Sequence, residues 1–166
     1  MISSTPSKPS AISKLGFGKN DFIVQLNSYG DKTMAVSTEG VLYSYGENLR
    51  PVRVEPKFWD GRAATLLSKI VAVYPGGTFY FVKLEDASIH LFHYDGEVKD
   101  TNMPEGHINL ARGRVVEPLF PGHAHCLMIA RNTNARNTDS KPLSLYSIGD
   151  NSFGQLGLND NRSSQR

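Results

Sequence analysis

This chain has almost no cysteine, no long apolar run and little net charge, and each shortage removes a class of protein. Cys126 is the only cysteine among 166 residues. No intrachain disulfide can form, so a reducing compartment inside the cell is expected, cytoplasmic or nuclear being left open. No apolar stretch approaches the ~20 residues of a membrane span, and the N-terminus has no apolar signal-peptide core, so no membrane is expected as a partner. The formal net charge is only +2. Without a run of basic residues, this gives no footing for nucleic acid or chromatin on this segment. Signatures of catalysis are missing too: there is no Gly-x-Ser-x-Gly elbow, phosphate-binding loop or zincin motif. Neither an enzyme nor a resident cofactor is expected. Helical periodicity is equally scarce, and residues 58–69 hold one short helix at most.

What the chain does have is repetition. Gly30, Gly76 and Gly122 follow one another at a spacing of 46 residues, and each opens a similar apolar pattern. Gly-Asp-Lys-Thr-Met-Ala-Val, Gly-Gly-Thr-Phe-Tyr-Phe-Val and Gly-His-Ala-His-Cys-Leu-Met align without a gap. Further on, each unit ends in a related string: LYSYGEN from Leu42, LFHYDGE from Leu91 and LYSIGDN from Leu145. Recurrence at such a period marks a solenoid, propeller or array.

Within a unit, short runs of β-branched and aromatic residues alternate with Gly, Pro, Asp and Ser. The middle unit shows this best, with runs at 70–73, 79–84 and 89–94. Such runs read as strands joined by tight turns, so the fold class is all-β, about three small antiparallel meanders. The recurring glycines fit turns that need positive φ. The domain reading is a Ser/Pro/Lys-rich flexible tail over 1–14, a repeat region over 15–160 with units of about 21–69, 70–113 and 114–160, and a polar tail over 161–166. The 39% hydrophobic content is adequate for a β core.

LYSIGDNSFGQLGLND, residues 145–160, resembles the blade-closing motif of the regulator of chromosome condensation repeat family. That motif is a hydrophobic strand followed by Gly-x-Asn-x-x-Gly-Gln-Leu-Gly, matched by Gly149, Asn151, Gly154, Gln155, Leu156 and Gly157. The family's second motif, a glycine three residues before a histidine that opens an apolar strand, is matched by Gly122 and His125. Earlier units depart from it: Thr33 and Phe79 stand at the histidine position, and the Gly-Gln-Leu-Gly tail is lost. The resemblance implies a β-propeller, and about three units make an incomplete one. For the family's founding member it implies guanine-nucleotide exchange on a Ran-type small GTPase. No stretch here matches an exchange wedge residue by residue, so no exchange residue is carried over.

Two readings of the function follow. The first is a non-catalytic protein-interaction module, with a protein as partner. The second is an exchange factor, or part of one, for a small GTPase. Candidate contact residues lie in two stretches of the chain read as loops between strands, where a rigid scaffold displays binding groups. One, residues 130–142, carries Arg131, Arg136 and Lys141; the other, residues 48–58, carries Arg50 and Arg53. His123 and His125 form a His-x-His pair that on a strand would share one face, as metal ligands do. No acid follows until Asp139, so no metal is assigned, and His125 reads as a hydrogen-bonding anchor between blades. His90 and His93, three apart, read as surface or packing residues.

Overall fold

The computed structural model describes residues 21–45, 51–58, 60–94, 105–110, 114–133 and 143–159. Both expected tails lie outside these residues, as do Arg50, Arg136 and Lys141. The described residues form three antiparallel sheets and no helix. The first holds β1 (Ile23–Tyr29), β2 (Lys32–Ser37), β3 (Leu42–Tyr45) and β4 (Pro51–Val54). The second holds β5 (Ile70–Pro75), β6 (Phe79–Leu84), β7 (Ile89–His93) and β8 (Gly106–His107). The third holds β9 (Arg114–Pro121), β10 (His125–Asn132) and β11 (Leu143–Gly149). Strands follow one another in chain order within every sheet, so each unit is a meander and the whole is an incomplete propeller of three blades.

Alternation along β6 explains why the blades stack. Phe79 and Phe81 point to one face with Ile89 and Leu91 of β7, and pack against Val116, Cys126, Met128 and Ile148 of the third sheet. Tyr80, Val82 and Leu84 point to the other face and pack against Met34, Val36 and Leu42 of the first. The middle sheet is thus buried on both sides, and each buried large side chain stabilises the stack by about 1.5–3 kcal/mol before entropy is counted. β1 and β2 meet β5, and β5 meets β9, so the first strands lie side by side along the inner edge. Each first strand also carries a bulge: between Ile23 and Gln25, between Ile70 and Ala72, and opposite Ile129 in β9. An extra residue there sharpens the twist at the same place in every blade.

The bulges expose a one-residue slip in the sequence alignment. Ile23 pairs with Ser37 at the first bulge and Ile70 with Leu84 at the second, so the first and second blades are offset by 47 residues. The second and third are offset by 46, Ile70–Leu84 matching Val116–Ala130. In consequence Gly30 does not stand where Gly76 and Gly122 stand; Tyr29 does, closing its hairpin with Lys32. Gly76 and Gly122 close theirs with Phe79 and His125, each donating its N–H to that residue's carbonyl at 2.8 and 2.7 Å. Lys32, not Thr33, is the first blade's counterpart of His125. The slip decides faces, because a shift of one residue along a strand inverts every side chain.

Two further expectations are corrected. Gly30 has the positive φ expected of it, +57°, but Gly76 and Gly122 do not. They are glycine because the ring three residues on lies over them: a Cβ at Gly76 would come within 2.8 Å of the Phe79 ring, and one at Gly122 would overlap the His125 imidazole. Residues 58–69 hold no helix among those described. Lys57 bridges Ala63, and the Phe58 and Ala64 amides donate to Arg62 and Pro56 carbonyls, folding this stretch back on itself. The fourth strands β4 and β8 were not foreseen, being only four and two residues long.

Candidate functional site

The blade-closing string builds a turn locked by its own side chains. Gly149 leaves β11 with φ +107°, and the Asp150 amide donates to the Ala124 carbonyl at 2.8 Å, tying the turn to the β9–β10 hairpin. The Asp150 carboxylate accepts the Ser152 amide at 3.1 Å, its hydroxyl at 2.6 Å and the Gln155 side-chain amide at 2.7 Å. The Ser152 hydroxyl holds that carboxyl below its ordinary value of 3.8. Gln155 in turn accepts the Phe153 amide at 2.8 Å. Asn151 is fully buried, and its side-chain oxygen accepts the Leu156 amide at 2.9 Å. Gly154 and Gly157 take positive φ, and their amides close successive short turns. Leu156 anchors the loop inside, while Phe153 stands 94% exposed on its tip. Fixing the backbone around an exposed aromatic lowers the entropy lost when that ring binds.

A second corner joins the blades. The Gly77 amide donates to the Gly122 carbonyl at 3.1 Å, and the Thr78 amide to the His123 carbonyl at 3.2 Å. His123 lies in the turn before β10, so it and His125 do not share a strand face; the metal-ligand geometry is not formed. Among the described residues no group of three or more His, Cys, Asp or Glu is placed to hold a metal. The Thr78 hydroxyl adds a longer hydrogen bond to the same His123 carbonyl at 3.5 Å, and the His125 ring serves by covering Gly122. Cys126 is buried and its thiol is pushed by that burial up to about 12, which leaves it unreactive.

Of the candidate basic residues, the two that are described, Arg53 and Arg131, are not brought together. Arg131 is exposed near the end of β10, paired with Val115 and Leu143, so it belongs to a sheet and not to a loop. Arg53 likewise lies on β4, opposite Tyr43, and borders a cleft of about 480 Å3 between the first two blades. They stand on the first and third sheets, with the middle sheet between them. His93 is buried and His90 half-buried, stacked against Phe92, which agrees with packing roles.

Sequence reasoning missed the two outer faces of the stack. On the third sheet, Phe120 is 52% exposed, Leu143 53% and Leu145 68%; on the first, Val24 and Leu26 are each 55% exposed. In the third sheet the strands carry apolar residues on both sides, the one available signal. In the first, β1 turns polar Gln25 and Asn27 to the second blade and its apolar Val24 and Leu26 outward, against the usual reading of an apolar side as the covered one.

No family model and no curated protein matches the sequence. Solved structures do. The chain superposes on human WBSCR16 with a TM-score of 0.58 and 20% identity, over 86% of this chain and 38% of that one. It superposes on yeast RCC1 (Prp20), solved with Kap60 bound to it, with a TM-score of 0.54 and 15% identity, over 82% and 31% respectively. The chain therefore spans only about a third of the length of each, 38% of one and 31% of the other. Its fold is that of a regulator-of-chromosome-condensation propeller, carried as three blades.

Proposed function

Starting from that fold, we propose that the chain is a non-catalytic protein-interaction module whose blades hold a fixed display of side chains. The observation that carries this reading is the blade-closing turn: buried Asn151 and Leu156 and the Asp150–Gln155 pair hold Phe153 almost wholly in solvent. Exposed aromatics on rigid supports are frequent anchors of protein interfaces. Arg53 and Arg131, with Arg50, Arg136 and Lys141, supply a basic complement for an acidic surface on the same partner. The structure of Kap60 bound to yeast RCC1 (Prp20) supports the class, because a protein with this fold is there in complex with another protein. We place the activity inside the cell, in cytoplasm or nucleus, since buried Cys126 requires no oxidising compartment.

Proximity cross-linking in cells, comparing the native chain with Phe153→Ser, tests this. A partner captured by the native chain and lost with the variant supports the reading; the same set of neighbours from both sinks it. The second reading is exchange on a small GTPase, favoured by the likeness of fold to RCC1 (Prp20). Nucleotide-release kinetics on a purified Ran-type GTPase decide it: acceleration at micromolar protein moves the chain into that class, and an unchanged rate removes it.

A further inference from the structure

We infer that a second copy of this chain covers the open face of the third sheet, head to tail, with the open face of its own first sheet. The offsets set by the bulges make the argument quantitative. Phe81, Ile89 and Leu91 on the middle sheet, all at 3% exposure or less, pack toward the third sheet. Their counterparts 46 residues on are Leu127 directly, and Leu145 and Ser147 through the β10–β11 register; Leu145 is 68% exposed, whereas Ser147 is already buried within the chain. Going the other way, Val73 and Val82 are fully buried against the first sheet. Their counterparts 47 residues earlier are Leu26, 55% exposed, and Ala35, paired directly with it and already buried within the chain, so the opening on this face lies at Val24 and Leu26.

The two halves of one blade-to-blade interface are thus both present on the same molecule, one at each end, and both present apolar side chains to solvent. Two such faces on one chain are complementary by construction, because each already has a working example inside the stack. Contacts of this kind between different patches are heterologous: they close into a ring where the rotation permits and continue as a chain where it does not. The inference does not depend on what Phe153 binds.

Sedimentation equilibrium on the full chain across a concentration series tests it. Expected is a mass at a multiple of the single chain. Leu145→Asp and Leu26→Asp should each weaken association by about thirtyfold or more, since each places an unpaired carboxylate in an apolar contact. Both side chains are largely exposed, so far-ultraviolet circular dichroism and the urea midpoint should not move; Leu143→Asp stands in if Leu145→Asp does not fold. Mixing the two variants should restore pairs, because one keeps an intact first sheet and the other an intact third. A face-to-face dimer through third sheets alone would survive Leu26→Asp and overturns the head-to-tail arrangement. A chain that stays monomeric at its highest soluble concentration overturns the inference altogether.

Discussion

Phe81 in the middle blade and Leu127 in the third occupy the same place in the repeat, yet Phe81 is fully buried and Leu127 is not. Their strands have similar apolar content, and their pairings match residue for residue across the hairpin. What differs is the neighbour. In a stacked-repeat architecture a unit's stability is its own plus that of the interfaces it shares, so identical positions carry different weights along the chain. The middle blade has two interfaces and each end blade has one.

The sharpest break of that comparison is Phe81→Ala against Leu127→Ala. Phe81 packs edge-on against Phe79, with centroids 5.4 Å apart at 82°, inside the core shared with the third sheet. Its truncation should cost about 3–5 kcal/mol in urea unfolding. Leu127→Ala should cost about 1 kcal/mol in the separate chain, because less of its surface leaves water on folding. Equal losses would mean that the third sheet's outer face is covered in solution. If Phe81→Ala does not fold, Phe81→Leu, expected to cost about 1.5 kcal/mol, preserves the contrast.

Next in size is Gly76→Ala against Gly30→Ala. A Cβ at Gly76 would lie 2.8 Å from the Phe79 ring and 2.9 Å from the Gly122 carbonyl, the latter being backbone that cannot rotate away. Crowding of this sort should cost about 2–3 kcal/mol. Gly30 has open space where a Cβ would go and only its φ of +57° to lose, so about 1 kcal/mol is expected there. The same thermal melts check both; a larger loss at Gly30 would contradict the one-residue slip. Asn151→Ala follows, at about 1–3 kcal/mol, because it leaves the Leu156 amide without its acceptor in a buried place. Its neighbour Phe153→Ser should leave stability within about 0.5 kcal/mol, separating the turn's lock from its display.

Much of this architecture can be read from the residues alone. The all-β class, the three units and the middle strands are legible because period-two apolar runs punctuated by Gly, Pro and Asp are local signals. The meaning of Asn151, Gln155 and Leu156 was legible as a motif, though not the hydrogen bonds that explain it. Three things were not legible, each for a physical reason. The slip at Gly30 hid because all three hairpins enclose two residues, but Gly30 lies inside its turn while Gly76 and Gly122 are the last ladder residues before theirs, so the glycine sits one place later relative to the ladder. Strand β4 hid because Val52-Arg53-Val54 is too short to outweigh the loop signals around it. The open faces hid because burial of a sheet is decided by what stacks on it, and that information is not local.

The slip itself can be tested at a position where it predicts a gain. With an offset of 47 residues, Ala87 in the β6–β7 turn is the counterpart of Gly40 in the β2–β3 turn. Both take positive φ, +68° and +79°, and Ala87 is one of two non-glycine residues to do so among those described. Its amide donates to the Leu84 carbonyl at 3.0 Å, as the Gly40 amide donates to the Ser37 carbonyl at 2.9 Å. The turns are thus the same, one made with the residue that suits it and the other with a Cβ held in a disfavoured region. Ala87→Gly should therefore raise the unfolding free energy by up to about 1 kcal/mol, the relief of strain being partly offset by the extra freedom glycine gives the unfolded chain. Under the 46-residue alignment Ala87 would instead match Val41, which carries no positive φ. A higher urea midpoint for Ala87→Gly supports the equivalence of Ala87 and Gly40 that the offset of 47 requires; a lower one shows no strain at Ala87 and breaks that equivalence.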